Sequence, residues 1–201
     1  MDGSQMSNLA NSISAFEYTT VLISIILGLG ITQILTSISE VIQDYSKVKI
    51  YWPHVIWIIF ILFLHIQDWF ILYQLKFLPY WSLPSIIFIL LYPIVLFISA
   101  RIIMPEKGDE FVHDLRSFYF KRFKFFYYLF SICIVLSILF NILYLNDTIF
   151  NQILLISFFI ITVCIAYFNI KTEWLHKLLA VLIIVSTIVS VIYEKNMWTI
   201  K

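Results

Sequence analysis

Charge is scarce in this sequence. Of 201 residues only 12% are Asp, Glu, Lys or Arg, while 62% are hydrophobic. An average soluble domain is about a quarter charged. A soluble fold of this length cannot cover so much apolar surface with so few charges, which excludes an ordinary soluble domain, a disordered chain and a basic nucleic-acid-binding domain. The formal net charge of +1 says nothing about partners, because the charges are clustered and the sum hides the clusters. Cysteine is almost missing: Cys133 and Cys164 each lie inside an apolar run, where they act as small hydrophobes and imply neither a disulfide framework nor a zinc ribbon. No Lys or Arg precedes Lys47. A cleavable leader needs a basic start, so the first apolar run is expected to remain as a membrane span. There is no G-x-S-x-G, no H-E-x-x-H, no Walker-type glycine loop and no Cys pair at ligand spacing, so no catalytic constellation assembles from motifs.

What the sequence does hold is long apolar runs. Six are long enough, at about 20 residues each, to cross a bilayer: roughly 18–39, 54–75, 83–104, 125–145, 149–169 and 174–193. The expected fold is therefore all-α, a polytopic bundle of six transmembrane helices in one domain covering 1–201. Asn146-Asp147 and Lys171-Thr172-Glu173 are short separators, which makes spans 4–5 and 5–6 antiparallel hairpins; a continuous helix through 145–150 would lower the count.

Basic residues set the expected orientation. Lys47, Lys49, Arg101, Lys107, Arg116, Lys121, Arg122, Lys124, Lys171 and Lys177 fall in or beside the loops after spans 1, 3 and 5, and only Lys76, Lys195 and Lys201 fall on the other side. That places both termini outside the cytoplasm, in a cell inner membrane. Tyr51, Trp52, Tyr80, Trp81, Trp174, Tyr193 and Trp198 near the span ends fit the aromatic belts of such a membrane.

Polar residues inside the spans are the candidate functional positions. Thr20, Ser24, Gly28, Thr32, Thr36 and Glu40 recur every four residues in span 1, a single drifting stripe. It reads first as a packing seam and second as the polar wall of a pore or a subunit contact. In span 2, His54, His65 and Asp68 fall within about 60° of one another on a helical wheel. An ionisable residue at the depth of Asp68 must be paired, protonated or facing water. The readings are a structural Asp–His pair or interhelical tie, a cation- or proton-sensitive point in a conduit, and a metal site, for which two ligands are too few. Pro93 should kink span 3. Asn141 and Asn169 are candidates for interhelical hydrogen bonds.

The segment 105–124 is expected to be a cytoplasmic amphipathic connection. Asp109 would cap a short helix with Phe111, Leu115 and Phe118 on one face, lying in the headgroup region and running into span 4. From Phe118 to Tyr128 aromatics alternate with basic groups, which reads as an interface anchor. Arg116, Lys121, Arg122 and Lys124 are the candidate groups for anionic lipid or a protein partner, and direct nucleic-acid binding is not expected. Glu173 and His176 form an E-x-x-H pair near the rim residues His113 and Asp114, a spacing that binds metal when two such helices face each other; no metal or cofactor is assigned.

Phe16-Glu17-Tyr18, Leu27-Gly28-Leu29-Gly30-Ile31-Thr32 and Tyr51-Trp52-Pro53-His54 resemble a pattern in small polytopic membrane proteins of bacteria that carry no assigned activity. The likeness covers about the first 75 residues, the length of two spans. In size and span content the chain is also similar to membrane accessory proteins of CRISPR and other phage-defence systems, which implies a membrane pore or a regulatory membrane partner. The leading expectation is a non-enzymatic, homo-oligomeric pore-like or regulatory protein, with a soluble defence effector meeting the 105–124 loop. A solute or ion transporter comes second, since the chain has no internal repeat and few Gly or Pro inside spans. A membrane metal- or haem-binding enzyme comes third.

Overall fold

A computed structural model describes residues 3–78, 81–105 and 114–193. Six helices follow one another: α1 (Gly3–Gln43), α2 (Trp52–Leu72), α3 (Leu83–Ile103), α4 (Leu115–Tyr144), α5 (Ile153–Tyr167) and α6 (Glu173–Tyr193). Short 3-10 turns extend α2 at its end and α5 at its start. All six helices are long and apolar enough to cross a membrane. Among the described residues there is no β-strand, only one isolated bridge between Lys49 and Asp114. The protein is an all-α, multi-pass integral membrane protein. Helices are the natural answer to hydrocarbon, because each satisfies its own backbone groups within the segment.

Local chemistry sets the ends. Pro53 and Pro84 occupy the first turns of α2 and α3, where the missing N–H costs nothing. Asn146 (φ 52°) and Asn169 (φ 51°) are left-handed and stop α4 and α5, a task that more often falls to glycine. The backbone N–H of Asp147 then returns to the Asn141 carbonyl at 3.1 Å, and that of Ile170 to Ile165 at 3.0 Å. Asn169 is thus a turn residue, whereas the sequence pointed to a bond across helices. The break at Asn146 also keeps spans 4 and 5 separate. α3 runs on through Pro93, which is buried.

The start of α4 departs most from expectation. The helix begins at Leu115, ten residues before the first residue expected in span 4, and absorbs 115–124. Its cap is Asp114, whose Oδ1 accepts from the backbone N–H groups of Arg116 and Ser117. Phe118, Tyr119, Phe123, Phe126, Tyr127 and Phe130 recur at helical spacing and are buried. Half of the aromatic run is therefore core, and Phe125 and Tyr128 remain outside. The expected cap Asp109, with Phe111, His113 and Lys107, lies outside the described residues.

α3 packs against α1, α2 and α4; α5 lies on α4, and α6 chiefly on α2. The segments after α1, α3 and α5 meet at one end, here called the basic end. There the Leu115 N–H donates to the Lys49 carbonyl at 3.2 Å and Arg116 pairs with Glu173 at 2.9 Å.

The α1–α2 contact explains one glycine of the Leu27–Thr32 run. A Cβ at Gly30 would stand 2.6 Å from His65 Cδ2, inside the space of the imidazole, whereas a Cβ at Gly28 would meet nothing within 4 Å. Gly30→Ala is expected to destabilise the protein by about 1–3 kcal/mol through overpacking, while Gly28→Ala stays within about 0.5 kcal/mol of wild type. Thermal unfolding of the two variants in mild detergent checks the contrast; equal melting temperatures would contradict the packing.

Candidate functional site

A layer of rings closes the interior toward the basic end. Trp57 of α2 is fully buried and meets Phe126, Tyr127 and Phe130 of α4 at centroid distances of 4.9, 5.3 and 5.1 Å. Phe60 stands against Trp57 and, edge-on at 5.8 Å, against Phe130. Beyond this layer the facing side chains shrink. α4 offers Cys133, Ser137 and Asn141, and the gap opens into a cavity of about 660 Å³.

The cavity leads away from the basic end. Phe60 and Phe130 form its floor. Leu64, Gln67 and Asp68 of α2, Gln74 of the 3-10 turn after it, Tyr92 of α3 and Ser190 of α6 line its wall, and Asn146, Asp147, Asn151 and Gln152 border it around the α4–α5 turn. The turn residues are locked to one another. Asn141 Nδ2 donates to Gln152 Oε1 at 2.9 Å, Gln152 Nε2 to Asp147 Oδ2 at 2.6 Å and Asn151 Nδ2 to Asp147 Oδ1 at 2.6 Å. Among the described residues two carboxylates line the cavity and no Lys, Arg or His does, so their field attracts cations.

Asp68 differs from its neighbours. Its Oδ2 is buried with no hydrogen-bond partner among the described residues, and the residue lines both this cavity and a smaller one of about 40 Å³ beside it. Tyr92 and Cys133 are close enough to interact with its charge.

His54 and His65 have other roles. His54 Nε2 donates to the Ile103 carbonyl of α3 at 2.6 Å. His65 Nδ1 donates to Ile61 in its own helix at 2.8 Å, and its ring packs on Gly30. The shared face of α2 thus addresses three neighbours: α3 through His54, α1 through His65 and the cavity through Asp68. In α1, Thr20, Ser24 and Glu40 are half-buried and Gly28, Thr32 and Thr36 exposed, beside a buried face of Thr19, Ile23, Leu27, Gly30, Ile34 and Ser37. Thr20 and Thr32 bond carbonyls of their own helix. Arg116 and Lys121 are exposed at the basic end, with Arg122 and Lys124 half-buried.

Sequence reasoning missed a buried network there. His176 Nε2 donates to the Ile170 carbonyl at 2.9 Å, leaving Nδ1 to accept from Tyr119 (2.9 Å) or Tyr127 (3.1 Å), whose hydroxyls lie 2.6 Å apart. Glu173 meanwhile turns to Arg116 and Lys177, so the E-x-x-H pair does not converge on one point. The eight-residue interval between Tyr119 and Tyr127 was the available signal, since it places both hydroxyls on one helical face. Among the described residues no three His, Cys, Asp or Glu gather as metal ligands. Burial pushes the Tyr51 hydroxyl up to about 12, which keeps it neutral. Asp114 is held below the usual carboxylate range, first by the Ser117 hydroxyl, then by the Ser117 N–H.

No protein family, curated protein or solved structure matches the chain.

Two expectations follow. With both native cysteines replaced by alanine, Ser137→Cys should react with a cationic thiosulfonate reagent about tenfold faster than with an anionic one, relative to a free thiol. Asp68→Asn should narrow that preference, and labelling rates in intact membranes measure both. Asp114→Ala should cost about 1 kcal/mol as a lost helix cap. A depressed carboxyl stabilises the fold above its ordinary pKa and stops doing so as pH falls through the lowered value. Melting curves of wild type and variant should therefore converge in acid.

Proposed function

We propose that the protein is a carrier-type membrane protein for a small cationic solute. The solute enters from the side away from the basic loops and is met by Asp68. The observation that carries this reading is the unpartnered Asp68 carboxylate on the wall of a one-ended cavity. An ionisable group within a span is costly and marks solute pathways where no structural partner explains it. The acidic lining favours a cation, the cavity has the size of small-molecule sites, and the Trp57 layer makes it a dead end, as expected of one state of a carrier and not of an open pore.

By the distribution of basic residues, the cavity opens outside the cytoplasm and both termini lie there. The resemblance to small polytopic membrane proteins of bacteria implies that this membrane is the bacterial inner membrane. A second reading, an oligomeric pore between copies, is favoured by the outward position of Gly28, Thr32 and Thr36 on α1; small residues on such a face let helices approach closely. In the defence-accessory version of that reading, a soluble partner meets Arg116, Lys121, Arg122 and Lys124.

Capacitive-current recording from proteoliposomes, given a series of inorganic and organic cations in turn, tests the proposal. The expected result is a transient, saturable charge displacement for at least one cation. Its half-saturating concentration should rise about tenfold or more in Asp68→Asn, the loss of one charge-assisted contact. A steady ohmic current insensitive to Asp68→Asn would replace the carrier with the pore between copies.

A further inference from the structure

We propose that the cavity takes a small quaternary ammonium ion, with Asp68 as its counter-charge, Phe60 and Phe130 as its aromatic floor and Tyr92 on its wall. This rests on the cation-cavity reading above and narrows it to a ligand class.

The donor set argues against a bare metal cation. Ca²⁺ takes six to eight oxygen ligands, and Mg²⁺ demands a near-octahedral shell. Asp68 shares the cavity with Leu64, Tyr92, Cys133 and the ring pair Phe60–Phe130. The polar side chains beside it, Gln67, Ser137 and Asn141, are all neutral, so among the described residues no second free carboxylate is at hand for a divalent ion. The other carboxylate, Asp147, already accepts from Asn151 and Gln152. Among the described residues no metal-ligating trio exists.

That combination suits a quaternary alkylammonium. Its positive charge is diffuse and weakly hydrated, so one carboxylate is enough counter-charge. Its C–H surface needs apolar walls, and aromatic faces within about 6 Å attract it electrostatically. Phe60 and Phe130 meet at 73°, an arrangement that can present ring surface from two directions. Trp57 supports both rings from behind and holds the floor in place without a ligand. A cavity of about 660 Å³ admits a molecule of choline size with accompanying water. An inorganic ion would leave the aromatic floor unused.

The test uses the full-length chain in mild detergent, titrated by calorimetry with choline, with the neutral carbon isostere of choline and with potassium chloride at constant ionic strength. Choline should bind saturably. The neutral isostere should bind about tenfold or more weakly, because only the charge differs. Asp68→Asn should weaken choline by a similar factor with an unchanged melting temperature, and Phe60→Leu should weaken it several-fold without giving potassium any affinity. If Asp68→Asn does not fold, the comparison of the two isosteres on wild type decides alone. Saturable potassium binding without choline binding would overturn the ammonium class and leave the cation cavity standing. Equal affinity for choline and its neutral isostere, or no binding of any probe to folded protein, would overturn both.

Discussion

The packing of Trp57 against α4 is the contact that sets the distance between α2 and α4, and the interior cavity depends on it. In lipid the helices gain little from hiding apolar surface, since acyl chains are as apolar as leucine; close van der Waals contact has to hold them together. Trp57 supplies it with three rings of α4 at about 5 Å, each aromatic pair adding about 0.5–1.5 kcal/mol beyond burial. Large rings also act as spacers. They fix the separation of α2 and α4 at one level, and Cys133, Ser137 and Asn141 further along are too small to fill that separation. The cavity is the geometric consequence of bulky residues at one end of a helix pair and small ones at the other.

At the basic end several polar side chains find partners within the bundle: His54 in Ile103, His176 in Ile170 and two tyrosines, Arg116 in Glu173. The neutral Tyr51 hydroxyl and Trp57 indole N–H are buried without one among the described residues. A neutral imidazole that donates from one nitrogen can leave the other as a bare acceptor, as His54 Nδ1 and His65 Nε2 do. This is a modest cost of burial that fits a packing residue. A carboxylate has no such option. Buried and unpaired it must take a proton, water or a counter-ion, and Asp68 is placed where a solute can supply the last. That difference in chemistry separates three residues that a helical wheel groups together.

Much of this was legible in the sequence, and the limits are instructive. Span number and the breaks at Asn146 and Lys171 followed from apolar run length, because hydrocarbon thickness is a hard constraint. The first turns of α4 were legible only in part: Leu115 and Phe118 were expected on one apolar face of a helix running into span 4, but at the headgroups and not in the core. Alternating Phe, Tyr, Lys and Arg has the composition of a membrane interface, and composition cannot tell that Phe118, Tyr119, Phe123, Phe126 and Tyr127 face inward while Lys121 and Phe125 face out. The wheel placed His65 and Asp68 on one side of α2, but about 60° of rotation is enough to send one to α1 and the other to the cavity. The mouth was hidden for another reason: Asn141, Asp147, Asn151 and Gln152 form a unit only after the α4–α5 turn closes.

The span 1 stripe and Asp68 place different demands on their surroundings. Thr20 and Thr32 return their hydroxyls to their own helix, and Gly28 has no polar side chain, so that much of the stripe can lie against lipid at no cost; a second copy is an option for it and not a need. Asp68 has no internal remedy among the described residues. Functional weight therefore belongs with the interior site. Its setting is also directional. With the basic loops in the cytoplasm, as proposed, the negative interior draws a cation down the cavity toward Asp68, at about 2.3 kcal/mol per unit charge for a full crossing at 100 mV. A solute held at the aromatic floor would have crossed part of that drop before the Trp57 layer moves, so the field assists binding as well as passage.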